Sequence, residues 1–122
     1  MVQKRIVSKI FIANRGEICR RIASTAKRMN IESVCIAEKA NPPQHLVGLV
    51  DEFVWVETES VELYLNASKL IEMAQTSGCN AIHPGYGFLS ESHDFAKAVA
   101  QKGLIWLGPS SKAIEMMADK AK

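Results

Sequence analysis

A chain of 122 residues holds one domain by length and can bury most of a core with little to spare. With 48% hydrophobic and 23% charged residues it is not a disordered chain, and no apolar run approaches the roughly 18 residues that a membrane helix needs. The net charge of +2, with no interleaving of basic and aromatic residues, gives no nucleic-acid signature.

The basic start Met1-Val2-Gln3-Lys4-Arg5 leads into an apolar run that Ser8 and Lys9 interrupt, which argues against a secretory signal. Five short, almost continuous apolar runs read as strands: Lys9–Ala13, Ser33–Ala37, Phe53–Val56, Asn80–His83 and Leu104–Leu107. Runs of that kind suit parallel strands covered on both faces. After the first run, Ile18, Ile22, Ala26 and Met29 share a helical stripe, and Asn14 with Glu17 resembles a capping box. Asn41-Pro42-Pro43 breaks the chain after the second strand and opens a loop or short helix to Asp51. Ser60 and Asn66 each suit an N-cap, so residues 61–77 read as a short turn followed by a longer helix. Leu70, Ile71 and Ala74 form its stripe. Phe95, Ala96 and Val99 form another, and Ile114 with Met117 a short fourth. Gly78 and Gly103 stand where helix C-termini favour positive φ.

Alternating strands and helices with short connections predict an α/β, Rossmann-like three-layer domain. Its parallel sheet has five strands, and the order 3-2-1-4-5 is the simplest. Every β-to-α loop of such a sheet leaves the same edge. Asn14-Arg15-Gly16-Glu17, Glu38, the His83–Phe88 loop and Gly108-Pro109 should gather along that rim, and the unusual residues of the chain are concentrated there.

Tests for known chemistries mostly fail. A dinucleotide fold would place G-x-G-x-x-G after strand one, where only Gly16 is present, although Glu38 stands where an acid would hold a ribose. Walker and G-x-S-x-G motifs are absent, and His45, His83 and His93 lack metal-ligand spacing, so no metal site is expected. Cys19, Cys35 and Cys79 read as three reduced thiols. No catalytic residue is assigned. The His83–Phe88 loop keeps two readings. Either Gly85 and Gly87 merely permit a tight turn while Tyr86 and Phe88 pack inward, or the glycines bring backbone close to a ligand and Tyr86 offers it an apolar face. Arg15 is split likewise, between an ion pair with Glu17 or Glu38 and an anion contact.

Ile12-Ala13-Asn14-Arg15-Gly16-Glu17-Ile18, His83-Pro84-Gly85-Tyr86-Gly87-Phe88-Leu89-Ser90-Glu91 and Leu107-Gly108-Pro109 closely resemble the N-terminal domain of biotin carboxylase. Asp51-Glu52 and Tyr64-Leu65-Asn66 match in the same order, so the resemblance covers residues 8–122. The same module opens the carboxylases of acetyl-, propionyl- and methylcrotonyl-CoA and of pyruvate. The resemblance implies a pre-ATP-grasp domain over residues 1–122, a fragment lacking the ATP-grasp and C-terminal parts. The whole enzyme would use Mg-ATP and bicarbonate to carboxylate biotin on a carrier protein and would feed a carboxyltransferase. The cofactors ATP, Mg and biotin belong to that full-length enzyme, and the isolated chain is expected to be inactive. By the same resemblance Tyr86 and Gly87 line the biotin side of the cleft and Lys120 contacts ATP. Asn14, Arg15, Gly16 and Glu17, with His83, Pro84 and Gly85, form a rim signature. The implied partners are the missing domains, the biotin carboxyl carrier, a carboxyltransferase and a second copy in a homodimer. The implied compartment is the cytoplasm, or the mitochondrial matrix of a eukaryote. Departures from the family pattern are Ala118 in place of Gly, Asn41 in place of Asp, the Pro42-Pro43 loop and the shortened Glu57-Thr58-Glu59 segment. The rival reading is a free-standing module that binds a carrier or subunit without catalysis.

Overall fold

The computed structural model describes residues 6–108; Pro109, the Ile114–Met117 stripe and Lys120 lie outside the described residues. Five parallel strands form one sheet in the order β3-β2-β1-β4-β5, as the alternation of elements predicts. They are β1 (Lys9–Ile12), β2 (Glu32–Glu38), β3 (Glu52–Val56), β4 (Ala81–His83) and β5 (Ile105–Trp106). The helices are α1 (Gly16–Arg28), α2 (Val61–Tyr64), α3 (Ala67–Thr76) and α4 (His93–Gln101), with a 3₁₀ turn at Gln44–Leu46.

The period of two along each strand divides the core into two faces. Phe11, Val34, Ile36 and Ile82 point to one face, where they meet Leu70, Ile71 and Ala74 of α3 and Phe95 and Val99 of α4. Ile10, Ile12, Cys35 and Ala81 point to the other, against Cys19, Ala23 and Ala26 of α1 and Leu46 of the 3₁₀ turn. Crossover handedness explains this division. The steps β1 to β2 and β2 to β3 move one way across the sheet, and those from β3 to β4 and β4 to β5 move the other way. Right-handed connections therefore land on opposite faces.

Helix ends follow the sequence with one exception. Ser60, Asn66 and Ser92 accept hydrogen bonds from the backbone N–H of Leu63, Lys69 and Phe95, capping α2, α3 and α4. Gly78 and Gly103 take positive φ after α3 and α4, while Asn30 does so beyond α1. The Asn14 capping box does not form: the N-cap of α1 is Arg15, without a side-chain cap. The buried stripe of α1 also differs from the sequence expectation. Cys19, Ala23 and Ala26 face the sheet, whereas Ile18 and Ile22 are partly buried and Met29 is exposed. Small side chains let α1 lie close to β1 and β2, and this turns the bulky aliphatics to its flank.

Two polar latches close the amino edge of the sheet. The Asp51 carboxylate accepts from Ser33 N–H at 2.9 Å while Asp51 N–H donates to Ser33 C=O at 3.0 Å, fixing the entry to β3. Asn80, expected to begin β4, instead uses its side chain: Oδ1 accepts from Ser8 and Lys9 N–H, and Nδ2 donates to Ile6 C=O at 2.8 Å. Its backbone still pairs on both sides, donating to Lys9 C=O and accepting from Ile105 N–H. Replacing Asn80 by Ala leaves these backbone groups in place but frees residues 6–8, at an expected cost of about 1–2 kcal/mol. Urea denaturation and faster amide exchange at Ser8 and Lys9 check this.

Candidate functional site

The carboxyl ends of β1 and β4 lie side by side, with Ile12 in register with His83. The backbone ladder continues one residue further, as Ala13 N–H donates to His83 C=O at 2.9 Å. Asn14 follows on β1 and is 1% exposed. Its Nδ2 donates to Pro84 C=O and Tyr86 C=O, both at 2.8 Å, and its Oδ1 accepts from Arg15 N–H at 2.9 Å. A buried amide must find partners, and these three bonds satisfy it while gripping the glycine loop from below. The amide that sequence reasoning assigned to capping α1 is thus spent on the neighbouring loop.

The loop is shaped around that grip. Gly85 has φ of 65°, and a Cβ there would lie 2.7 Å from both Asn14 Nδ2 and Ile18 Cγ2. Neither neighbour can retreat without breaking a hydrogen bond or repacking α1, so glycine is required on two counts. Gly87 also has positive φ, but its surroundings are open. His83 Nδ1 accepts from Gly85 N–H at 3.0 Å, which places the ring proton on Nε2 in the neutral form. Burial lowers the His83 pKa from its ordinary value of about 6.5.

The two aromatics of the loop separate. Phe88, at φ of 46°, turns inward and stacks on Tyr64 with ring centroids 4.9 Å apart. Tyr86 is 71% exposed and stands above the rim. Inward packing, expected for both aromatics when the loop is only a tight turn, holds for Phe88 and not for Tyr86.

Arg15 makes neither of the expected ion pairs. Glu17 pairs instead with Arg20 at 3.8 Å, and the Glu38 carboxylate accepts from Glu59 N–H at 2.8 Å. The Arg15 guanidinium lies 5.8 Å from the Tyr64 ring centroid and 5.9 Å from that of Phe88, a cation–π arrangement. Tyr64 is fully buried, its hydroxyl donates to the Glu59 carboxylate, and burial pushes its pKa up. Glu38, Glu59, Tyr64, Phe88 and Arg15 therefore form a continuous chain of contacts across the rim. Sequence reasoning noted Tyr64 only as part of a matching tripeptide. Glu38, at the place where a dinucleotide fold would hold a ribose, is committed to backbone.

Gly108, the last described residue, closes the rim. A Cβ there would meet Trp106 Cζ2 at 2.8 Å and Pro84 Cγ at 3.0 Å. The structure thus brings Asn14, Gly16, His83, Pro84, Gly85, Tyr86 and Gly108 to one edge; Pro109 and Lys120 lie outside the described residues. Among the described residues no group of three His, Cys, Asp or Glu side chains could hold a metal ion. The three cysteines are free and buried. Contact with Cys19 together with burial pushes the Cys35 thiol pKa up, and burial takes Cys79 to about 11. What the rim offers is a presented aromatic ring, exposed backbone at Gly87 and one cation held by aromatic faces. These are means of binding and orientation.

Two expected outcomes test this geometry. Asn14→Ala leaves the buried Pro84 carbonyl and the part-buried Tyr86 carbonyl without their donor and should cost about 2 kcal/mol in urea unfolding. Asn14→Asp should cost at least as much, because a carboxylate would face those carbonyls. For His83, the folded state disfavours the proton, so the unfolded chain binds more protons on acidification. Stability present above pH of about 6.5 should therefore be lost as pH falls below it, and protonation of Nδ1 also removes the acceptor for Gly85 N–H. NMR titration should find the His83 pKa below 6.5, and His83→Asn, which keeps an acceptor, should flatten the fall of Tm between about pH 7 and 5.

The comparisons with known proteins agree on one family. The family described as "Biotin carboxylase, N-terminal domain" matches residues 6–114. The chain is 44% identical over 116 residues to the mitochondrial methylcrotonoyl-CoA carboxylase subunit alpha of Glycine max, covering 94% of this chain and 16% of that protein. It is 39% identical over 114 residues to the 2-oxoglutarate carboxylase small subunit of Hydrogenobacter thermophilus, covering 93% of this chain and 24% of that protein. Among solved structures, the biotin carboxylase subunit of a pyruvate carboxylase superposes with a TM-score of 0.85 at 42% identity, covering 95% of this chain and 26% of that one. The biotin carboxylase domain of a thermophilic 2-oxoglutarate carboxylase bound to bicarbonate gives 0.85 at 38% identity, covering 96% and 26%. The chain therefore spans about a quarter or less of the length of these relatives. A profile match over most of the residues, relatives above 30% identity and a shared five-stranded sheet place this chain in the biotin carboxylase N-terminal domain family.

Proposed function

We propose that this chain serves as the N-terminal module of a biotin-dependent carboxylase whose whole assembly uses Mg-ATP and bicarbonate to carboxylate carrier-bound biotin. The observation that carries this reading is the Tyr86 loop, gripped by Asn14 and presented outward within a chain of that family. In the proposal Tyr86 and Gly87 form one wall of the biotin side of the cleft. Asn14, Arg15, Gly16, Glu17, His83, Pro84 and Gly85 shape that wall, and Lys120 reaches ATP. A related biotin carboxylase domain has been solved as a dimer with MgADP and bicarbonate, which supports the cofactor set and a homodimeric partner.

The 122-residue chain alone is inactive in this reading. Phosphoryl transfer needs metal-binding carboxylates and several fixed cationic donors. The ATP-grasp and C-terminal parts would supply them, and a carboxyltransferase would take the product to an acyl-CoA or a keto acid. No described helix is long and apolar enough to cross a membrane. The cytoplasm is the proposed compartment, or the mitochondrial matrix in a eukaryote, since several relatives are mitochondrial. The exposure of Tyr86 also favours a second reading, a free-standing module that docks a biotinylated carrier without catalysis.

A bicarbonate-dependent ATPase assay on the chain should give no turnover above background, and measurable turnover would refute its inactivity. Saturable binding of a biotinylated carrier by the chain, unaffected by ATP, would favour the second reading. In the enzyme that carries the module, Tyr86→Ala should lower kcat/KM for biotin by about tenfold, or about 1.4 kcal/mol, with the KM for ATP unchanged.

A further inference from the structure

With its ring 71% exposed, Tyr86 takes its direction from the backbone on either side of it. Upstream, Asn14 holds the carbonyls of Pro84 and Tyr86, both at 2.8 Å. Downstream comes Gly87, which has φ of 76° and open surroundings and so supplies little steric restraint of its own. The next fixed point is Phe88. Ser90 N–H donates to Gly87 C=O at 3.0 Å, closing a turn over Gly87–Ser90 whose first central residue is Phe88. Its φ of 46° lies in the left-handed region, where turns ordinarily place glycine and a bulky side chain is strained. Such a conformation persists only where the surroundings over-determine it.

We propose, resting on the reading of Tyr86 given above, that Phe88 is a positioning residue: Tyr64 and Arg15 clamp its ring, the clamp keeps residue 88 left-handed, and this sets the stance of Tyr86 toward biotin. Tyr64 is fully buried and stacks on Phe88 with centroids 4.9 Å apart and ring planes 23° from parallel. The Arg15 guanidinium lies over both rings, 5.8 Å and 5.9 Å from their centroids. Tyr64 cannot slide away with its partner, because its hydroxyl donates to the Glu59 carboxylate and Glu59 N–H donates to the Glu38 carboxylate at 2.8 Å. The clamp is thus fastened to the ends of β1 and β2. A ring released from it would let residue 88 relax to negative φ, and Gly87, next to Tyr86, would take up the rotation. Phe88 therefore acts through Tyr86, while Arg15, Tyr64 and Glu59 act through Phe88. A turn with no such duty would carry glycine at residue 88.

NMR amide relaxation on the full 122-residue chain tests the clamp, and kinetics of the carboxylase that carries the module test its use. In the chain, the Gly87 amide should be rigid, with an order parameter of about 0.85, and Phe88→Gly should lower it below about 0.6, although glycine suits this turn. Phe88→Tyr, which keeps a ring to stack, should stay near the parent value. In the enzyme, Phe88→Gly should lower kcat/KM for biotin by about tenfold with the KM for ATP unchanged, and Phe88→Tyr should rescue it. Adding Tyr86→Ala to Phe88→Gly should lower kcat/KM by less than about twofold more, because both losses pass through one ring. A Gly87 that stays rigid in Phe88→Gly overturns the proposal, and so do fully multiplicative losses in the double variant. If Phe88→Gly does not fold, Arg15→Met at the exposed guanidinium decides instead. It should lower the Gly87 order parameter and kcat/KM for biotin together, and an unchanged order parameter overturns the proposal. Unchanged biotin kinetics in Tyr86→Ala would sink the biotin reading alone, and the relaxation measurement would then decide the clamp by itself.

Discussion

One buried amide organises the carboxyl rim. Asn14 gives both of its N–H bonds to the glycine loop and its oxygen to the start of α1, so a single side chain joins β1, α1 and the β4 loop. In the interior such a group is costly unless satisfied, and once satisfied it has one acceptable geometry. Gly85 follows from it, since the space a Cβ would need is filled by the Asn14 amide and Ile18. The outward stance of Tyr86 and the inward turn of Phe88 follow from holding the loop at those two carbonyls.

A second layer of restraint reaches the same rim from the sheet edge. Glu38, at the end of β2, holds the backbone of Glu59; Glu59 receives the Tyr64 hydroxyl; Tyr64 stacks on Phe88. Arg15 rests over both rings. Loops that are far apart in the chain are thereby tied through packed and hydrogen-bonded groups, as expected where parallel strands deliver their loops to one margin. Binding residues placed on loops need such scaffolding, because loop backbone alone has too much freedom.

Much of this was legible in the sequence for definite reasons. Continuous apolar runs, punctuated by Ser60, Asn66, Gly78 and Gly103, specify parallel strands and helix ends, and handed crossovers leave few strand orders. The convergence of Asn14, His83 and Tyr86 follows from topology alone. The roles of single polar groups did not follow. Asn14 has the right spacing to Glu17 for a cap, yet a tertiary partner competes for the same amide and wins. The buried stripe of α1 was misread because hydrophobic weight favours Ile18 and Ile22, whereas close approach to the sheet favours Cys19, Ala23 and Ala26. Glu59 and Tyr64 carry no local signal, since their pairing depends on where α2 is placed after β3. That Arg15 pairs with neither Glu17 nor Glu38 was hidden for the same reason.

The tight seat of Gly108 has a further consequence. With Trp106 on one side and Pro84 on the other, the polypeptide leaves the sheet through a passage too narrow for any side chain at that residue. Its heading is thus dictated by the same prolyl loop that carries Tyr86. A side chain forced into that seat would therefore press on the end of β5 and on the Tyr86 loop together, coupling the last strand of the sheet to the rim.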